Sequence, residues 1–438
     1  MKVGVVSLGC PKNLVDTELM LYILRGEGYE LVEDSHEAEV IIINTCGFVE
    51  DAKQESIDTI LEMSALKSEN CRFLIVTGCL SQRYGKQLIK QMPEVDAILG
   101  VSHYAGIADV IRKLEEKQAD FQSFSKAGDI EYLEGGRVIT TGPGYAYLKI
   151  AEGCDNRCSY CAIPSIRGDY HSRKIDNIVE EARMIADSGI NEIILVAQDS
   201  TRYGRDLYAK PMLPDLLEQL SGISGIKWIR SLYWYPDEID DALIKAVAGL
   251  VKVCKYIDLP VQHASDRILG LMGRRGNTAF IEDMILKLRD SIDGLILRTS
   301  VILGFPTETI NDFNHLMGFI GRMRFERLGA FVYSREEGTR AAALKPTVSK
   351  NTADNRLNRL MMFQKDISAD FNRSRIGKLY KTKIDGPGIG RTFAETPEID
   401  GQVIFKCQNE PEAGTFANVR ITGSDEYDLY GDIENESA

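Results

Sequence analysis

The chain is poor in histidine, with five in 438 residues, and has only nine cysteines, an odd number. So few cysteines at this length exclude a disulfide-stapled scaffold. No apolar run reaches the roughly 18–20 residues of a membrane span, so no membrane partner is expected. The opening stretch does not read as an export signal. Val3–Leu8 is short, is broken by Gly4 and Ser7, and runs into Cys10-Pro11-Lys12. A reducing, cytoplasmic setting is expected, where cysteines are free, metal-binding or catalytic. Basic charge is also short: 52 Lys and Arg stand against 65 Asp and Glu, a net charge of −13. That argues against wrapping nucleic acid by a general basic field. No G-x4-G-K-[ST] phosphate loop and no convincing dinucleotide fingerprint occurs, and Gly386–Gly390 reads as a turn with no helix after it. Internal repeats, low-complexity segments and heptads are missing, and a monomer is expected.

What is present is strand–helix alternation. Over residues 1–117 the runs Val3–Leu8, Val40–Asn44 and Phe73–Thr77 read as buried strands, with Tyr29–Val32 and Ala97–Leu99 as weaker ones. Amphipathic stretches lie between them, so an α/β doubly wound parallel sheet is expected. Residues 118–139 read as a linker with one hairpin. Residues 140–372 carry six further strand candidates, Ala146–Ala151, Glu192–Ala197, Trp228–Leu232, Tyr256–Pro260, Leu295–Val301 and Leu328–Val332, separated by helical patterns. Six units predict a partial (β/α)6 barrel, with its chemistry at the C-terminal strand ends. Residues 373–438 break into short runs separated by Gly and Pro, the pattern of a small antiparallel β-barrel.

Cys154, Cys158 and Cys161 form C-x3-C-x2-C directly after the first barrel strand. Three thiolates in eight residues can wrap one soft metal centre. Structural zinc prefers four protein ligands, and no fourth Cys or His lies near in sequence. Three thiolates instead leave a 4Fe–4S cluster with one open iron. Cys10, Cys46 and Cys79 are far apart in sequence, yet each closely follows a predicted strand, so the sheet should bring them to one edge as a second trio. Cys71 precedes its strand and belongs on the opposite edge. Cys254, placed before a barrel strand, and Cys407, in the tail, read as bystanders.

The C-x3-C-x2-C loop, with Tyr160 before its last cysteine, resembles the radical S-adenosylmethionine (SAM) superfamily. With the second trio and the small β-domain, the whole chain resembles the methylthiotransferases. The resemblance implies two 4Fe–4S clusters, one on Cys154, Cys158 and Cys161 and an auxiliary one on Cys10, Cys46 and Cys79. It implies SAM as both methyl donor and radical source, and a net replacement of C–H by C–S–CH3. A low-potential electron donor, flavodoxin or ferredoxin, is implied as a partner. Tyr160, Gln198, Gln262, Ser265, Gly304 and Glu308 are candidate SAM contacts, because each lies in the loop after a barrel strand or beside the last cysteine. His263 resembles a general base, but radical abstraction requires none.

Ser7-Leu8-Gly9-Cys10-Pro11-Lys12-Asn13, Gln198-Asp199-Ser200-Thr201-Arg202-Tyr203-Gly204, Gly390-Arg391-Thr392 and Pro397-Glu398-Ile399-Asp400-Gly401 resemble the members that act on an aspartate β-carbon of ribosomal protein S-twelve. The tail resembles a TRAM domain. From Ile384 onward it holds three basic residues, Arg391, Lys406 and Arg420, against twelve acidic ones. That balance repels phosphate and suits a basic ribosomal protein. The preceding Arg373, Arg375, Lys378, Lys381 and Lys383 would touch ribosomal RNA or pair with the acidic tail. Two alternatives stay open: a tRNA adenosine methylthiotransferase, and a non-catalytic Fe–S protein that docks on ribosomes.

Overall fold

The structure is a computed structural model that describes residues 1–116, 121–123, 130–406 and 411–434. Its first sheet is wholly parallel: β1 (Lys2–Ser7), β2 (Glu30–Val32), β3 (Val40–Thr45), β4 (Phe73–Gly78), β5 (Ala97–Leu99) and β6 (Phe121–Ser123), in the order 2-1-3-4-5-6. Every residue of β3 is buried, because helices cover both faces. α1 (Pro11–Gly26) and α4 (Ile107–Glu115) pack on one face, α2 (Glu50–Ala65) and α3 (Cys79–Gln91) on the other. The doubly wound expectation holds.

The stretch expected to be a linker with a hairpin differs. Phe121–Ser123 pairs parallel with β5 as a sixth strand, while residues 117–120 and 124–129 lie outside the described residues. Farther on, Leu133 is buried, and Glu18 of α1 accepts hydrogen bonds from Arg137 (2.9 Å) and the Thr140 amide (2.7 Å). The segment is strapped down because a buried carboxylate on α1 requires those partners.

β7 (Tyr145–Lys149) is followed by β8 (Ala151–Glu152) and β9 (His171–Ser172), which pair with each other around the short helix α5 (Ile163–Arg167). The partial barrel then runs β7, β10 (Glu192–Val196), β11 (Trp228–Ser231), β12 (Val253–Asp258), β13 (Ile296–Leu303) and β14 (Arg327–Val332), all parallel and in sequence order. Helices α6 (Ile175–Asp187), α7 (Arg205–Tyr208), α8 (Leu213–Ser221), α9 (Asp241–Gly249), α10 (Asp266–Met272), α11 (Thr278–Ser291) and α12 (Ile310–Met323) fill the connections, and α13 (Lys350–Arg373) packs against β14 and α12. Cys254 lies inside β12 rather than before it, buried among Tyr145, Tyr147 and Trp228. Cys407 lies outside the described residues.

The tail closes into a five-stranded barrel from β15 (Leu379–Gly386), β16 (Ile389–Arg391), β17 (Val403–Lys406), β18 (Phe416–Ser424) and β19 (Leu429–Ile433). Its Arg391–Asp400 segment plugs the N-terminal end of the larger barrel. Arg391 pairs with Glu192 at 3.0 Å, Arg230 donates to the Phe393 carbonyl at 2.8 Å, and Glu395 joins Arg327 and Arg375. Tyr145 and Tyr256 donate to Glu398 and Asp400 at 2.8 and 2.7 Å. The tail charge is therefore not one free acidic face. Glu395, Glu398 and Asp400 hold the barrel, and Arg375 of the basic segment pairs with the acidic tail.

Candidate functional site

The C-terminal ends of β1, β3 and β4 deliver Cys10, Cys46 and Cys79 to one place. Cys10 caps α1, Cys46 directly follows β3, and Cys79 opens α3. Asn13 binds the loops together, its side-chain amide donating to Leu8 O at 3.0 Å and Thr45 O at 2.9 Å. A Cβ on Gly9, whose φ is +89°, would stand 3.0 Å from the Cys46 sulfur. Glycine thus lets the first loop come that close to the second. Each of the three cysteines has a glycine beside it or one residue away, in Gly9-Cys10, Cys46-Gly47 and Gly78-Cys79. That signal was present in the sequence and went unread. Cys71 lies at the other end of β4, as expected, with its thiol 3.4 Å from Phe73 O.

Burial pushes the Cys46 thiol up to about 12, reinforced by Cys79. Burial also works to raise Cys10, but Lys12 and Arg167 outweigh it and hold that thiol below its ordinary value. Ligation of a metal centre would have to displace protons from such buried thiols.

The second trio sits in the loop between β8 and α5. Gly153 has φ +78°, and a Cβ there would lie 1.9 Å from the Asp169 carbonyl oxygen. The Cys154 amide donates to Gly168 O at 3.1 Å, Ser159 N to Met272 O at 2.7 Å, and Asn156 to Asp199 at 2.8 Å. Cys154 is raised by burial to about 11, and the Cys158 sulfur lies 3.0 Å from the Tyr235 hydroxyl. Gly153→Ala would force Asp169 away from the loop. We expect it to lower the iron held after anaerobic reconstitution by about half, through the barrel trio alone. Iron and acid-labile sulfide assays check this.

After burial, neighbouring thiols also raise Cys46 and Cys79 in the first trio and Cys161 in the second. All six are free thiols. Among the described residues no three Cys, His, Asp or Glu side chains are arranged to hold a single metal ion. Three thiols that feel one another suit a 4Fe–4S cluster, in which each thiolate takes its own iron.

The loops that carry the two trios are linked by a buried ion cluster that sequence reading did not find. Lys149 bonds Asp16 at 2.5 Å and Glu152 at 2.6 Å, while Arg167 bonds the same two carboxylates at 3.0 and 2.7 Å. Arg167 also donates to Asn13, next to the N-terminal trio. Glu152, two residues before Cys154, accepts from Gln198 at 2.7 Å. On another side Glu336, after β14, takes Arg83 of α3 at 2.6 Å and Lys53 of α2 at 3.1 Å. The N-terminal domain is thereby locked over the barrel mouth.

The SAM candidates divide. Tyr160 packs beside Phe305 and Met272 next to the barrel trio. Gln198 leaves its buried carbonyl oxygen without a partner, and Gln262 holds a φ of +68° at the mouth. Ser265 and Glu308 are engaged by neighbours in the chain. The Ser265 hydroxyl donates to Asp312 at 2.6 Å, and Glu308 accepts from the Gly304 amide at 2.7 Å and pairs with Arg356 at 2.5 Å. Both brace the loop. At Gly304 a Cβ would meet Ala353 of α13 at 2.6 Å, so the close neighbour there is a helix. Burial lowers His263 to about 3, leaving it neutral.

Residues 2–100 match Uncharacterized protein family UPF0004, residues 148–320 the Radical SAM superfamily, and residues 376–433 the TRAM domain. The fold is similar to that of the radical S-adenosylmethionine methyltransferase TsrM from Kitasatospora setae, with a TM-score of 0.55 at 14% identity over 88% of this chain and 81% of that one. The chain is similar to the ribosomal protein uS12 methylthiotransferases RimO of Acetivibrio thermocellus (52% identity, covering 100% of this chain and 99% of that one) and Caldicellulosiruptor saccharolyticus (49%, covering 99% and 100%). Identity at this level along the full length of those relatives means that the chain belongs to the family of ribosomal protein uS12 methylthiotransferases.

Proposed function

We propose that this chain replaces a C–H bond by C–S–CH3 at the β-carbon of an aspartate in the small-subunit ribosomal protein uS12. The observation that carries the reading is the pair of three-cysteine loops at the C-terminal ends of two parallel sheets, linked through the buried Asp16–Lys149–Glu152–Arg167 cluster. Cys154, Cys158 and Cys161 would hold one 4Fe–4S cluster and Cys10, Cys46 and Cys79 the auxiliary one. With SAM bound, these centres supply a 5′-deoxyadenosyl radical and the methylthio group. The chain's own residues fix the geometry. Tyr160, Gln198 and Gln262 wall the mouth, the Asp16–Lys149–Glu152–Arg167 cluster sets one trio against the other, and Glu336 with Arg83 and Lys53 keeps the domains shut against water. The tail offers the exposed Asp432, with Tyr427 and Tyr430, to a basic protein.

Electrons come from a low-potential donor, flavodoxin or ferredoxin. The chain works as a cytoplasmic monomer, and among its described residues no helix is long and apolar enough to cross a membrane. The test is an anaerobic reaction of the reconstituted protein with SAM, reductant and either uS12 or tRNA, read by mass. Methylthio gain on uS12 is expected. Gain on tRNA alone would overturn the reading.

A further inference from the structure

Lys12 stands two residues after Cys10, in the first turn of α1, where the N-terminal loops meet the barrel mouth. Only 8% of it is exposed. The acidic side chains of α1 are already engaged, Asp16 by Lys149 and Arg167 and Glu18 by Arg137. Among the described residues Lys12 has no carboxylate partner; it lies over the ring of Tyr233, 3.4 Å from the centroid, and its charge acts on the Cys10 thiol two residues before it. Two other described cations at the mouth are held by groups of the barrel itself. Arg298 pairs with Asp258 at 2.7 Å, and Arg274 donates to Pro260 O and lies 3.7 Å over the Tyr235 ring.

Tyr233 is itself held unusually. It follows β11 with φ +62°, a conformation costly for an aromatic residue. Two bonds fix it: its amide donates to Asp258 at 3.1 Å, and its carbonyl accepts from Ser200 N at 2.9 Å. The strained backbone sets the ring under the ammonium. A buried cation resting on an aromatic face, with no carboxylate of its own, fits a carboxylate that arrives from outside.

We infer that Lys12 binds the side-chain carboxylate of the substrate aspartate and so determines specificity, with Tyr233 as its positioning residue. The inference rests on the reading that the substrate is an aspartate. A neutral nucleobase brings no such anion, so the same lysine favours an acidic side chain over an adenosine.

The experiment uses the full reconstituted protein, with uS12 and uS12 carrying the target Asp changed to Asn. Binding is measured for both proteins and turnover for the native one. The unaltered enzyme should bind the Asn form about 10- to 100-fold more weakly, the loss expected for one charge-assisted contact. Lys12→Met should raise KM for native uS12 by a similar factor and bind both forms alike, at unchanged iron content. Lys12→Arg should recover much of the discrimination. Tyr233→Leu should raise KM for uS12 but not for SAM, and Tyr233→Phe should restore it. Discrimination kept by Lys12→Met would overturn the inference. A fall in kcat alone, with a shifted electron paramagnetic resonance signal from the auxiliary cluster, would also overturn it and assign the lysine to that cluster. If the unaltered enzyme modifies no uS12, the functional reading fails and this inference falls with it.

Discussion

Reconstituted anaerobically, the protein with Cys10, Cys46 and Cys79 all changed to Ala is expected to hold about four irons where the unaltered chain holds about eight. It should still cleave SAM to 5′-deoxyadenosine under strong reductant, because Cys154, Cys158 and Cys161 are untouched. Methylthio transfer to uS12 should be lost. The complementary change, Cys154, Cys158 and Cys161 to Ala, should also leave about four irons but form no 5′-deoxyadenosine. The pair of variants assigns separate tasks to the trios. Equal iron in the unaltered chain and the first variant would mean that the N-terminal loops hold no cluster.

The second large effect is on stability. Lys149 is fully buried between Asp16 and Glu152. Lys149→Met removes one cation from a cluster of two cations and two carboxylates and leaves an uncompensated buried charge, expected to cost about 3–5 kcal/mol. Denaturant unfolding measures it. Adding Asp16→Asn restores the charge balance and should recover a large part of the loss, whereas independent, additive effects would give a double variant worse than either single one.

The same cluster sets an acid limit. Burial works to raise the Glu152 carboxyl, but Arg167 and Lys149 outweigh it and hold the group below the usual carboxylate range. A carboxylate depressed in the folded state stabilises the fold above its unfolded value of about 4.3. That contribution is lost as pH falls toward the depressed value. Lys149→Met should therefore flatten the acid limb of the stability curve.

Strand positions were the most legible part of the sequence, because β3 and its neighbours are apolar on both faces and bounded by turn residues. Convergence of Cys10, Cys46 and Cys79 followed from parallel topology alone, since each closely follows a strand. α1 was harder. Asn13, Asp16, Thr17 and Glu18 look like a solvated face, yet all are buried because the helix lies between the first sheet and the barrel. Pattern reading assigns a polar stripe to water and has no means of finding a second protein surface there. Ser265, Gly304 and Glu308 were placed in the right loops, but which way a loop side chain turns depends on partners such as Asp312, Ala353 and Arg356, distant in sequence. The role of Arg391–Asp400 was hidden for the same reason.

That plug bears on how the protein is made. Synthesis proceeds from the N-terminus, so Arg230 and Arg327 emerge long before residues 391–400. Until then Arg327 lacks Glu395, and burying it without that carboxylate is unfavourable. The base of the larger barrel is therefore completed only once residues 391–400 have followed it out of the ribosome. A nascent chain stalled short of residue 391 would carry all six site cysteines on a barrel that Arg391–Asp400 does not yet cover at its base.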